Sequence, residues 1–135
     1  MIFIDTDIIS YYFKGNDKVT TNLTKAFKSE EPVATTIINV YEILKGLKYK
    51  NSKKKIKLFE KLLNHILVFS LDNKVILEAA DIYSHLRKKG KSIGDADILI
   101  PAIVIKNNGM LISNNTKHYD DIPNLNLNNW LKPVE

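Results

Sequence analysis

Short apolar runs alternate along the chain with longer stretches in which apolar residues recur every three or four positions. The first run, from Met1 to Ile4, is apolar without alternation, which is typical of a parallel strand buried on both faces. Four further β-prone runs predict strands, the last of them alternating like an edge strand: 33–36, 67–71, 110–113 and 125–130.

Amphipathic stretches between these runs predict helices. The clearest begins at Ile37, where apolar residues recur with helical spacing and Thr36 is placed to cap the first turn. Asp7 and Asp72 are predicted N-caps of two other helices. The remaining amphipathic stretches are 8–14, 18–29, 56–66 and 72–86.

The apolar run 98–105 fits either a buried strand or a buried helix by periodicity alone. Pro101 would be out of place in a central strand, and Asp95 could cap the start of a helix that ends near Gly109. We therefore predict a helix here. Strands and helices then alternate throughout, which predicts an α/β fold with a central parallel sheet of about four to five strands.

Composition narrows the class of protein. The 135 residues predict one domain, 1–135, and 44% hydrophobic residues are ordinary for a globular protein. The absence of Cys excludes disulfides, thiolate zinc sites and cysteine nucleophiles, and fits a reducing cytoplasm. We expect no signal peptide, since Met1 leads directly into a strand, and no membrane span, since the apolar runs are short.

Acidic and amide residues follow the predicted strands or open the helices behind them. Asp5 ends the first strand, Glu42 lies in the helix after the second, Asp97 opens the buried helix, and Asn115 follows the fourth strand. The carboxyl ends of parallel strands meet at one edge of a sheet. Oxygen ligands of this kind suit Mg²⁺ or Mn²⁺, so the pattern predicts a divalent metal site.

Four segments in this order resemble the motifs of the PIN-domain family, and in particular those of the VapC toxins of type II toxin–antitoxin pairs. They are FIDTD, INVYEILKG, GDADILI and LISNNTKHYDDIPNLNLNNW. The resemblance implies a three-layer α/β/α fold and a metal-dependent endoribonuclease. It also implies a cognate antitoxin, a homodimer, and tRNA or rRNA as the substrate whose cleavage blocks translation.

The resemblance also implies a role for each matching residue. Asp5 and Asp97 match the principal metal ligands, and Glu42 matches an acid that acts directly or through water. Asn115 stands where much of the family has Asp, which leaves one charge fewer. Thr6 and Ser113 would orient water or phosphate.

Some polar residues keep a second interpretation. Asp95 and Asp7 are both predicted as N-caps. The alternative is assistance to the metal through water for Asp95 and a metal ligand for Asp7. His118 is predicted to be structural. The lysines that follow Glu42 either line the path of an RNA backbone or form a solvated helix face; they are Lys45, Lys48, Lys50, Lys53, Lys54 and Lys55.

Two other functions compete with the nuclease. The Asp5-Thr6-Asp7 triplet fits a haloacid-dehalogenase-type phosphatase, in which the first Asp is the nucleophile. Its Ser/Thr motif should precede the late acidic motif, however, whereas Ser113 follows Asp97. The other alternative is a PIN scaffold that binds RNA or a partner without cutting, for which Asn115 is the only support.

Overall fold

The computed structural model describes residues 1–132, and in this part of the chain five strands alternate with seven helices. The strands are β1 (Ile2–Ile4), β2 (Val33–Thr36), β3 (Leu67–Phe69), β4 (Met110–Ile112) and β5 (Asn126–Asn128). The helices are α1 (Thr6–Phe13), α2 (Asp17–Lys28), α3 (Ile37–Tyr49), α4 (Lys53–Leu63), α5 (Asn73–Lys88), α6 (Asp95–Lys106) and α7 (Thr116–Tyr119). The last residues of the predicted domain, 133–135, lie outside the described part.

The strands form one parallel sheet in the order β3-β2-β1-β4-β5. The first strand of the chain is therefore its centre, with Ile2 beside Val33 on one flank and Ile4 beside Ile112 on the other. The chain moves outward in one direction through β2 and β3, then returns and moves outward in the other through β4 and β5. Such a reversal opens a crevice at the carboxyl ends of β1 and β4.

Each face of the sheet is covered by helices, which confirms the predicted three-layer α/β/α architecture. Phe3 is fully buried on the face covered by α5 and α6, and its neighbour Ile4 is buried on the face covered by α1, α2 and α4. Adjacent strand residues point to opposite faces, so a strand without polar alternation is what this arrangement requires. Within residues 1–132, no helix has both the length and the apolar character needed to cross a membrane.

The helix starts agree with the sequence at two positions and differ at two. Thr36 and Asp72 cap α3 and α5 as predicted, each accepting a hydrogen bond from a backbone N–H. Asp7 is not an N-cap, because α1 begins at Thr6 and the extended residue Asp5 accepts the Thr6 N–H instead. Asp95 is not a cap either. It is the first residue of α6, which starts after Gly94.

The ambiguous apolar run is helical, as predicted, and forms most of α6. Pro101 lies inside this helix and is buried. Proline has no N–H to donate to the carbonyl of Asp97 four residues earlier, and its ring is bulky at that point of the turn. The helix is apolar on almost all sides because it packs between the sheet and α5, as the burial of Ile100 and Ile103 shows.

Candidate functional site

A cavity of about 220 Å³ opens at the carboxyl edge of the sheet, between the ends of β1 and β4. It is lined by Asp5, Thr6, Asp7, Glu42, Asp97, Asn115 and Tyr119. Five of these residues were predicted site residues, and the structure brings them together from widely separated parts of the sequence. The parallel sheet explains this, since it places the ends of its strands at one edge.

Asp5 is fixed by hydrogen bonds on both carboxylate oxygens. Its Oδ1 accepts from the Thr6 N–H at 2.9 Å and from Asn39 Nδ2 at 2.8 Å. Its Oδ2 accepts from the Tyr119 hydroxyl at 3.1 Å. The side chain is only 5% exposed, so these donors replace most of its water. Asp5 therefore faces the cavity in one defined orientation.

Thr6 connects Asp5 to Glu42. The Thr6 hydroxyl donates to Glu42 Oε1 at 2.9 Å and accepts from Asn39 Nδ2 at 2.9 Å. Burial raises the pKa of Glu42 above its ordinary value, and the charges of Asp5 and Asp97 add to that effect against the hydrogen bond from Thr6. Glu42 thus lies in a region of negative charge, which a bound cation would stabilise.

Asp97 is paired with a residue that was predicted to be structural. His118 Nε2 lies 2.7 Å from Asp97 Oδ2, which joins the first turn of α6 to α7. The prediction for His118 was therefore incomplete, because the imidazole contacts one of the candidate metal ligands.

Asp7 belongs to the cavity and has an unsatisfied oxygen. Its Oδ2 accepts from the Asn114 N–H at 2.9 Å, while its buried Oδ1 has no hydrogen-bond partner among the described residues. Burial, and after it the charge of Asp5, raises the pKa of Asp7 to about 6. A buried carboxylate oxygen without a donor is suited to a cation or a proton.

The remaining predicted residues occupy different positions. Asn115 reaches the cavity, but Ser113 is fully buried and its Oγ accepts the Asn115 N–H at 3.1 Å. Ser113 therefore positions the loop that carries Asn115. Asp95 lines a separate cavity of about 340 Å³ between α5 and α6, because it and Asp97 point to opposite sides of the helix.

Sequence reasoning missed Asn39 and Tyr119, the side chains that hold Asp5. Asn39 stands three residues after Thr36, and the two form a capping box in which each side chain bonds the backbone of the other. That spacing could have drawn attention to Asn39. Tyr119 had no comparable signal, since nothing in the sequence indicates which way a tyrosine in a four-residue helix will point.

The donor set fits a hard divalent cation. Carboxylate oxygens of Asp5, Asp7, Glu42 and Asp97 converge on one cavity, and one of them is buried without a partner. Among residues 1–132, no three acidic, histidine or cysteine side chains already form a complete cluster that could hold a metal ion. Mg²⁺ commonly uses one or two carboxylates and completes its shell with water and substrate phosphate.

Comparisons with known proteins agree with this geometry. A model of the PIN domain family matches residues 2–124. Ribonuclease VapC2 of Rickettsia felis is 29% identical to this chain over 133 residues, covering 96% of this chain and 97% of the relative. Ribonuclease VapC1 of Haemophilus influenzae strain R2866 is 25% identical over 130 residues, covering 96% of this chain and 97% of the relative. These matches favour the nuclease over the phosphatase.

Solved structures give the same result for the fold. VapBC2 from Rickettsia felis, bound to a DNA fragment from its promoter, contains a chain with a TM-score of 0.88 and 28% identity, covering 96% of this chain and 99% of that one. VapBC-1 from nontypeable Haemophilus influenzae contains a chain with a TM-score of 0.85 and 26% identity, covering 98% of this chain and 100% of that one. The predicted architecture is confirmed along nearly the whole chain.

Proposed function

This chain belongs to the PIN domain family, and we propose that it is a metal-dependent endoribonuclease and the toxin of a toxin–antitoxin pair. The observation that carries the proposal is the acidic cavity, which Asp5 at the end of β1 and Asp97 in the first turn of α6 line together. The likeness to ribonucleases named VapC supports RNA as the substrate.

Asp5 and Asp97 would hold Mg²⁺ or Mn²⁺, with Glu42 as a ligand directly or through water. When bound, such an ion lowers the pKa of a coordinated water and offsets charge on the phosphate. The chain supplies the orientation: Asn39 and Tyr119 fix Asp5, and His118 fixes Asp97.

Thr6 and Asn115 would contact the substrate or its water. The Thr6 hydroxyl lies at the cavity wall beside Glu42. Asn115 is neutral and carries an amide that can donate a hydrogen bond, so it can approach a phosphate oxygen that an Asp at this position would repel. We propose that Asn115 binds the phosphate and that Ser113 holds Asn115 in place.

The proposed partners are an antitoxin protein and a second copy of the chain. The structures of VapBC2 and VapBC-1 contain chains that share the fold and about a quarter of the residues with this one, which supports an antitoxin as the partner. We propose that the free toxin acts in the cytoplasm, cutting tRNA or rRNA and so blocking translation.

The deciding experiment is incubation of the purified protein with tRNA and rRNA, with Mg²⁺ or Mn²⁺ and with or without chelator. We expect cleavage that chelator stops and that Asp5→Asn or Asp97→Asn reduces by about a hundredfold or more. Asp95→Asn is the matched control, because Asp95 lies in the same helical turn as Asp97 but lines another cavity.

Two results would contradict parts of the proposal. Equal cleavage by the wild type and Asp97→Asn would refute the ligand assignment. RNA binding without cleavage in any metal would favour the non-catalytic scaffold. Isothermal titration with Mn²⁺ gives an independent readout, and we expect Asp97→Asn to weaken binding while Asp95→Asn leaves it unchanged.

A further inference from the structure

A groove leads away from the acidic cavity between α1 and α3. Its volume is about 200 Å³, and it shares Thr6 and Glu42 with the cavity at one end. It continues past Gly46 and reaches Lys50 at the end of α3. The two depressions are therefore adjacent, and they meet at the hydrogen-bonded side chains of Thr6 and Glu42.

The α3 side of this groove is open, and Tyr49 lies next to the groove without lining it. Positions 42, 46 and 49 are spaced by four and three residues, so they share one face of α3. A Cβ added at Gly46 would meet no atom within 4 Å. Tyr49 is 90% exposed, which is unusual for a large aromatic side chain with nothing to cover it.

The segment that forms the α3 side of the groove and continues into α4 carries the positive charge of the protein. Residues 41–57 contain seven Lys and one acid, Glu42, whereas the whole chain has an excess of five basic over acidic residues. The remainder of the chain is thus close to neutral. All seven lysines are exposed, so this surface attracts a polyanion toward the side of the cavity where Glu42 lies.

We propose that the groove between α1 and α3 binds the single-stranded RNA that flanks the scissile phosphate, with Lys50 on a backbone phosphate and Tyr49 stacked on a base. The proposal rests on the endoribonuclease function proposed above and adds the path of the strand. Glu42 and Tyr49 are seven residues apart, about 10 Å along the helix. That distance corresponds to about three stacked nucleotides.

Two features favour unpaired RNA over other polyanions. The cavity of about 220 Å³ and the groove beside it are narrow depressions, and a flexible single strand can follow their change of direction. An exposed aromatic ring among lysines is the combination that binds single strands, because every base has a face on which the ring can stack. An acidic protein segment would use the lysines but would leave the face of Tyr49 without a matching group.

The test is fluorescence anisotropy of a fluorescein-labelled 12-nucleotide oligouridylate, measured with the full chain in chelator so that no turnover occurs. We expect Tyr49→Ala to weaken binding about tenfold with an unchanged salt dependence, and Tyr49→Phe to retain binding. Lys50→Ala should instead reduce the slope of log affinity against log salt by about 0.7. Tyr83→Ala and Lys88→Ala on α5 are the matched controls, since both residues are exposed on another helix.

Cleavage kinetics separate this proposal from the function on which it rests. If the wild type cuts RNA and Tyr49→Ala raises KM with kcat unchanged, the path is supported. If the wild type cuts RNA but the Tyr49 and Lys50 variants bind and cut like the α5 controls, the proposed RNA path along the groove is refuted, whereas the endoribonuclease function is not. If an acidic peptide, but not RNA, is bound through Lys50, the groove is a protein site and the proposal is wrong. Failure of the wild type to cut any RNA would refute the function itself.

Discussion

Asp7 provides a direct test of the electrostatics of the cavity through protein stability. Burial and the charge of Asp5 raise its pKa from 3.8 to about 6. In the unfolded chain Asp7 loses its proton near pH 4, but in the metal-free folded protein the carboxyl group stays protonated up to about pH 6. Between these values the folded state binds more protons, so its stability falls as the pH rises. Asp7→Asn removes this loss of stability at higher pH, because the amide is never charged.

The size of the effect follows from the same shift. A difference of about two pKa units corresponds to about 3 kcal/mol at pH 8. Asp7 is partly accessible to solvent, which screens its charge, so we expect about 1–2 kcal/mol. The amide oxygen can still accept the Asn114 N–H, so the variant keeps the main hydrogen bond of the wild type. Asp7→Asn should therefore be more stable than the wild type at pH 8, and the difference should disappear toward pH 4.

The assay is urea unfolding of both proteins in chelator, at pH 4.5, 6 and 8, followed by circular dichroism. Asp81→Asn is the control, because Asp81 is exposed on α5 and far from the cavity in sequence. It should show the same small difference from the wild type at each pH. A pH-independent difference for Asp7→Asn, or lower stability than the wild type at pH 8, would refute the reasoning.

Other substitutions test the packing around the site. Tyr119→Phe removes the hydroxyl that donates to Asp5. Burial and nearby acids raise the pKa of Tyr119, so the hydroxyl stays protonated and remains a donor. Its loss should lower the free energy of unfolding in urea by about 1.5–3 kcal/mol and reduce cleavage. Gly46→Ala should stabilise the protein by about 0.5–1 kcal/mol, since the new methyl enters open space in a helix. Gly109→Ala should destabilise it by about 1–3 kcal/mol, since a Cβ there would clash with the buried ring of Phe3. In thermal melting, a Tm of Gly46→Ala below that of the wild type, or a Tm of Gly109→Ala at or above it, would contradict the corresponding prediction.

The strands and the long helices could be predicted from the sequence because burial imposes a pattern on it. β2 has the predicted bounds, and β1 is apolar because both of its faces are covered. The start of α1 was less predictable. Asp5 and Asp7 are both good N-cap residues, and the choice between them depends on where the strand ends, which is decided by pairing with β4.

The convergence of Asp5, Glu42 and Asp97 was predictable for a similar reason, since a parallel sheet brings its carboxyl ends together. The supporting contacts were not. Tyr119 reaches Asp5 across 114 residues of sequence, and His118 reaches Asp97 across 21. Such contacts depend on the docking of α7 against the sheet, which no local pattern records.

The position of β1 has a consequence for how the activity arises during synthesis. The central strand is the first one made, so Asp5 and Glu42 leave the ribosome while Asp97 and Tyr119 have not yet been added. A nascent chain therefore holds only part of the acidic cavity, and Asp5 lacks one of its donors. For a protein proposed to cut the RNA of the translation machinery, a nascent chain without Asp97 lacks one of the proposed metal ligands. Synthesis of the segment from Asp97 to Tyr119 is then the step that completes the acidic cavity.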